Sequence, residues 1–218
     1  LAGRQGRQQF VVDNFRRPIA AQPAVSSDAR DGLNLVLTID AVIQRFVYEA
    51  LNAQVQAYEA ESAVGVVMNP WTGAVLAMVS LPDYDPAEFG SVAADVRRNR
   101  VLTDPYEPGS IFKPIVAAIA LDTGAIDCGE KFFCENGFWN KYRGINDFEG
   151  HAYGNLDVRE IIIHSSNIGM AKIGLRMTRQ QLYDGLRLFG FSQRTGIDLP
   201  GEDPGLVWSV PRWSKLSI

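Results

Sequence analysis

The residues in this sequence best suited to covalent chemistry are a serine and a lysine three positions apart, just behind a Pro-Gly pair. They lie in Glu107-Pro108-Gly109-Ser110-Ile111-Phe112-Lys113-Pro114. On a helix, residues three apart share a face. A hydroxyl in the first turn stands in the positive field of the helix N-terminus, beside free N–H groups able to hold an oxyanion. A serine hydroxyl becomes a useful nucleophile only when a neighbouring base takes its proton, and a lysine serves when desolvation keeps it neutral. Pro114 is compatible with this placement, because a first-turn N–H has no helical acceptor to lose. Taken alone, the four residues also describe an N-capping serine followed by a surface lysine.

A second constellation is Ser165-Ser166-Asn167, in a polar break between two helical segments. In an extended turn, a hydroxyl and a carboxamide two residues apart point the same way. Ser165 can then pass a proton to a leaving amine while Asn167 grips a substrate carbonyl or the lysine. The same three residues also fit a plain helix break with its cap. The combination is more telling than either motif. Each occurs once, the serine–lysine pair first, and each falls at an expected helix boundary, which is the setting the chemistry needs.

The elements that must position these groups can be read from periodicity and punctuation. Residues 110–121 read as a buried helix behind Pro108-Gly109. Asp157-Val158-Arg159-Glu160 resembles a capping box that opens another helix, which breaks at 165–167 and resumes over 168–177. A further helix over 180–188 ends at Gly190. Upstream, the alternation over 33–39 predicts a strand. Ile43, Phe46, Val47, Ala50, Leu51 and Tyr58 form one apolar helical stripe, with Thr38 or Asp40 as its cap. The β-rich runs 63–69 and 74–80 flank Pro70-Trp71-Thr72-Gly73 and predict a hairpin. Both runs are mostly apolar, so the hairpin is expected inside a sheet covered on both faces. Residues 81–107 and 122–154 read as long loops. Residues 1–32, rich in Gln, Arg and Gly, read as a linker or the edge of another domain. The pattern predicts a mixed α+β fold, with helices packed on an antiparallel sheet.

Composition narrows the function. The 218 residues carry 21 Lys plus Arg against 25 Asp plus Glu, a formal charge of −4, and 46% are hydrophobic. That is enough for a core and too acidic for a nucleic-acid surface. No apolar run approaches the ~18 residues of a membrane span. Cys128 and Cys134 could close one small loop or remain two unpaired thiols. The sequence has neither CxxC nor HExxH, so a metal site has no support and no cofactor is called for. His164 reads as a helix-end residue, and Arg97, Arg98 and Arg100 as a solvated charge cluster. Trp139, Tyr142 and Phe148 read as loop packing.

With these residues in view, the chain resembles a class B, monofunctional penicillin-binding protein, specifically its transpeptidase domain. The resemblance is carried by Leu37-Thr38-Ile39-Asp40 with Ile43-Gln44, and by the hairpin from Met68-Asn69-Pro70-Trp71-Thr72-Gly73 through Ser80. Asp83-Tyr84-Asp85-Pro86, Asn99-Arg100, Tyr106-Glu107-Pro108-Gly109-Ser110 and His164-Ser165-Ser166-Asn167-Ile168-Gly169 continue it. Residues 1–6 and Asp13 resemble the tail of that family's non-catalytic pedestal. The resemblance implies the penicillin-binding/serine β-lactamase-like fold, with residues 1–32 a pedestal remnant and 33–218 the N-terminal part of the transpeptidase domain.

It also implies an activity: a D,D-transpeptidase that cross-links peptidoglycan stem peptides ending in D-Ala-D-Ala. Ser110 would be the acylated nucleophile and Lys113 the general base. Ser165 would relay protons, and Asn167 would position the substrate amide and Lys113. β-Lactams would acylate Ser110 as substrate mimics. The family's third motif, K-T/S-G on a later strand, has no counterpart in these residues, so the chain reads as a fragment that acylates slowly by itself. The family further implies a bacterial inner-membrane protein with one anchor upstream and a periplasmic catalytic domain. Its partners would be a membrane glycan polymerase and proteins of the division or elongation machinery, with no nucleic acid. Two other readings stand beside it. A serine β-lactamase needs a base for its deacylating water, which no motif here supplies, and a β-lactam sensor would acylate without turnover.

Overall fold

The structure is a computed structural model that describes residues 2–19, 25–141 and 144–214. Two compact units make up the chain, Leu1–Ala87 and Glu88–Ile218.

The first unit opens with two short strands, β1 (Arg7–Gln9) and β2 (Val25–Ser27), paired antiparallel. Part of the stretch expected to be a linker or the edge of another domain thus has a ladder of its own. Helix α1 (Ala41–Tyr58) follows, and of the two expected caps Asp40 takes the role, accepting the N–H groups of Val42 and Ile43. Strands β3 (Ala63–Met68) and β4 (Val75–Leu81) form the expected hairpin. Helix α1 lies on them so closely that a Cβ at Gly65 would meet Val47 and Leu51 at 2.9 Å. Gln44 bonds both backbone groups of Met78, through Nε2 at 2.9 Å and Oε1 at 2.8 Å, closing part of the outer edge of β4.

Two expectations fail in this unit. Residues 33–39 form no strand. Only their end is tied down, by the Thr38 hydroxyl on Val75 O and the Asp40 N–H on Leu76 O, and Leu33, Leu35, Val36 and Leu37 are exposed. Alternation makes a strand only where a partner edge and a core face exist, and no described residue supplies either. The hairpin is also not covered on both faces. Residues of β3 alternate between half-buried and exposed, with Val64, Val66 and Met68 open among the described residues.

The second unit begins with a long connection containing the short helix α2 (Arg100–Thr103), capped by the Asn99 side chain. The arginines beside it are not merely solvated. Arg98 and Arg100 both bridge Asp95 and Asp104, and Arg97 lies 4.5 Å from the centre of the Phe89 ring. Helix α3 (Lys113–Asp122) buries Val116, Ala117, Ile119 and Ala120. The stretch 122–154, expected to be loop, holds three short strands: β5 (Lys131–Phe133), β6 (Phe138–Trp139) and β7 (Ile145–Asn146). Strand β5 pairs with β8 (Asn155–Asp157), and β6 with β7. Runs of two or three residues are too short to show a period, so only their pairing reveals them.

The capping box at Asp157 and Glu160 opens helix α4 (Val158–Ile163) as expected. Helix α5 (Asn167–Gly174) follows the serine break, and helix α6 (Arg179–Leu188) starts from a Thr178–Gln181 capping box. The core of the unit centres on the fully buried Ile161, Ile168, Ile173 and Cys134. Gly169 makes that packing possible, because a Cβ there would come within 2.6 Å of Ile161 and 3.2 Å of the Cys134 sulfur. Both thiols are free, Cys128 exposed and Cys134 buried, so the loop-staple alternative falls.

Candidate active site

Gly109 adopts φ +59°, a left-handed conformation that glycine accepts without strain. It turns the chain into one 3-10 turn, Gly109–Phe112, which runs directly into α3. Residues i and i+3 eclipse in a 3-10 turn, so Ser110 and Lys113 stand along one edge, with the Lys113 N–H donating to Ser110 O. The sequence pattern predicts an α-helical start at Ser110. The tighter turn gives the same shared edge and leaves Ser110 exposed.

The Lys113 ammonium, half-buried, does not bond the Ser110 hydroxyl. It donates to three oxygens from the serine break: Ser165 O at 2.5 Å, Ser165 Oγ at 2.9 Å and Asn167 Oδ1 at 2.7 Å. Three of the four predicted site residues therefore meet at one point. Ser110 stands one turn away, its hydroxyl without a hydrogen bond among the described residues. Burial pushes the Lys113 pKa below the ordinary lysine value, and the charge of Asp147 opposes that shift.

The serine break achieves its convergence by a route different from the extended turn expected. Helix α4 stops at His164, and Ser165 turns left-handed with φ +53°. Ser166 is extended and caps α5, its Oγ accepting the Gly169 N–H at 3.0 Å. The left-handed step aims both the carbonyl and the hydroxyl of Ser165 at Lys113, which simple alternation would not do. Behind the break, Tyr153 stacks with His164 at 4.9 Å and with His151 at 5.6 Å between ring centroids. His164 is the helix-end residue expected.

Sequence reasoning missed Asp147. This carboxylate, 4% exposed, accepts from Ser166 Oγ at 3.0 and 3.1 Å, from the Asn167 N–H at 2.6 Å and from the Ile168 N–H at 3.2 Å. With Ser166, it satisfies the first three N–H groups of α5 and places a negative charge at the positive end of that helix. The neighbouring Asn146 carbonyl accepts the Asn167 Nδ2 at 2.9 Å, so the amide turns its Oδ1 to Lys113. Nineteen residues separate Asp147 from Ser166, and no local pattern links them. Cys134 packs behind the same turn, its thiol pKa raised chiefly by burial. Tyr142 lies outside the described residues. Among the described residues no His, Cys, Asp or Glu group could hold a metal, and no helix is long and apolar enough to cross a membrane.

The arrangement offers an exposed hydroxyl, an amine with a lowered pKa and a second hydroxyl able to exchange protons with that amine. The penicillin binding protein transpeptidase domain matches residues 63–218 as a family. The chain belongs to that family. The probable peptidoglycan D,D-transpeptidase PenA of Neisseria flavescens is 35% identical over 206 residues, covering 94% of this chain and 49% of PenA. Peptidoglycan D,D-transpeptidase FtsI of Escherichia coli K12 is 35% identical over 221 residues, covering 99% of this chain and 36% of FtsI. The apo transpeptidase domain of Burkholderia pseudomallei penicillin-binding protein 3 superposes with a TM-score of 0.72 at 30% identity, covering 85% of this chain and 51% of that one. The α+β fold is thus that of penicillin-binding protein transpeptidase domains. The chain spans about half or less of the length of these relatives.

Proposed function

We propose that the full-length protein is a peptidoglycan D,D-transpeptidase working through an acyl-enzyme on Ser110. The observation that carries this reading is the triple hydrogen bond of Lys113 to Ser165 and Asn167, one turn from an exposed serine. Neutral Lys113 takes the Ser110 proton as Oγ attacks the carbonyl carbon of the penultimate D-Ala. The Ser110 N–H supplies half of the oxyanion hole. Of the three oxygens around Lys113, two are carbonyl oxygens that can only accept. The Ser165 hydroxyl alone can reverse from acceptor to donor. The proton therefore leaves Lys113 through Ser165 to the departing D-Ala nitrogen, and the C–N bond breaks. Acylated Ser110 is then attacked by an amine of a second strand, which restores the hydroxyl and completes the cross-link. Asn167, oriented by Asn146, holds the substrate amide. β-Lactams enter the same path and stay on Ser110.

The names of the relatives support peptidoglycan stem peptides as substrates, and the family's description supports β-lactams as ligands. We further propose that the catalytic domain lies outside the inner membrane, anchored upstream, with residues 1–32 belonging to a pedestal. A glycan polymerase and division or elongation proteins are the proposed partners. The test is labelling of the full-length protein with a fluorescent penicillin. Ser110→Ala should abolish it, while unchanged labelling would remove Ser110 as the nucleophile.

A further inference from the structure

Helix α4 ends in a turn that glycine normally completes. The Ser165 N–H donates to Ile162 O at 3.1 Å and the Ser166 N–H to Ile161 O at 3.0 Å. This pair of bonds is a Schellman motif, whose left-handed residue is usually glycine and sometimes asparagine. Here a serine occupies it, at φ +53°. A side chain in that region is strained, and it persists only where the surroundings over-determine the backbone. The strained residue is also the one whose carbonyl and hydroxyl both bond Lys113. After it, the Asp147 carboxylate grips Ser166 and Asn167. Before it, the His164 ring rests on the ring of Tyr153, with 4.9 Å between centroids and 29° between planes.

Tyr153 is built as a fixed wall. Its carbonyl accepts the Asn136 N–H at 3.0 Å, and the carbonyl of Gly154 accepts the Cys134 N–H at 2.7 Å. The half-buried ring packs against the core of this unit. His151 stacks with the same ring at 5.6 Å and is itself held, its Nδ1 lying 2.8 Å from Phe148 O. The Tyr153 hydroxyl makes no hydrogen bond among the described residues, so the ring makes these contacts. His164, in contrast, is exposed.

We propose that Tyr153 is a positioning residue: through His164 it holds Ser165 in the left-handed turn that presents both oxygens to Lys113. The role rests on the Ser110 acyl-enzyme reading and adds to it a residue acting at one remove from the lysine. Without the wall, His164 swings freely and Ser165 relaxes towards an unstrained backbone, turning its carbonyl and hydroxyl away from Lys113. Fewer molecules then have the proton path in place. Ser110 and its uncapped turn are untouched, so the loss falls on bond formation and not on initial binding.

The test is stopped-flow acylation of the full-length protein over a range of chromogenic β-lactam concentrations. This separates the dissociation constant of the first complex from the acylation rate constant. Tyr153→Leu should lower the rate constant about tenfold, equivalent to about 1.4 kcal/mol, the scale of strain in one left-handed residue. The dissociation constant should stay within about twofold. Tyr153→Phe should restore the rate, because it keeps the ring. His164→Ala, at an exposed position that leaves the core intact, should reproduce the loss, and His164→Phe should recover it. The double variant Tyr153→Leu with His164→Ala should be no slower than either single one, since the two act as a pair. A native rate constant in His164→Ala, losses that multiply in the double variant, or a loss confined to the dissociation constant overturns the positioning role alone. An unmodified protein that leaves Ser110 unacylated overturns the acyl-enzyme reading, and the positioning role falls with it.

Discussion

Two helix starts meet at this site, and they are built in opposite ways. The start of α3, with its 3-10 turn at Ser110, has no side-chain cap and is exposed. The start of α5, at Asn167, is closed by Ser166 and by the buried carboxylate of Asp147, which together take its first three N–H groups. An uncapped N-terminus keeps donors available for an incoming anion. A capped one spends its donors on holding its own geometry. Ser110, the proposed nucleophile, thus sits at the open start, while Ser165 and Asn167, which bond the lysine, are held in place by the closed one. Lys113 joins the two sides, rooted in the open helix and bonded to the closed turn.

The comparison is most easily broken at the joint. Lys113→Ala removes the only amine among the groups that meet there, and acylation of Ser110 should fall about 10³-fold, within the range for a lost general base. Stopped-flow acylation by a chromogenic β-lactam measures this, and a near-native rate would detach the closed turn from the chemistry. Asp147→Ala tests the closed side. It orphans donors on Ser166, Asn167 and Ile168 and should cost about 3 kcal/mol in urea unfolding.

Asp147→Asn keeps an acceptor and should cost less, and it separates charge from bonding. The Asp147 charge favours the ammonium form of Lys113, so removing it lowers the lysine pKa further. In the proposed mechanism acylation needs the neutral amine. The rise of rate with pH should therefore move to lower pH in Asp147→Asn, and a shift upward would reverse the assigned electrostatics. On the open side the expected effect is smallest. Gly109→Ala meets no atom within 4 Å but must hold φ +59°, so it should cost about 1 kcal/mol, purely from backbone strain.

Much of this construction could be read from local pattern. Ser110 and Lys113 share a face because they are three apart. The cap at Asp40, the capping box at Asp157 and Glu160, and the hairpin around Pro70-Trp71-Thr72-Gly73 are each complete within a few residues. Wherever the controlling partner is distant, local pattern was silent or misleading. Residues 33–39 alternate as a strand does, yet no edge receives them among the described residues. Strands β5 to β7 are too short to show a period and exist through pairing alone. Cys128 and Cys134 have a loop-closing spacing, yet one packs in the core against Gly169 and the other faces solvent.

The sequence by itself determined the chemical inventory and where helices could begin: a serine and a lysine on one turn, and a Ser-Ser-Asn break between apolar helices. Only the tertiary structure decided that Lys113 bonds groups more than fifty residues away. It alone brought Asp147 under the break, and it replaced an extended turn by a left-handed one at Ser165. The physical reason is the range of the forces. Capping and periodicity act over one or two turns, whereas burying a carboxylate or desolvating an amine requires packed segments that are remote along the chain.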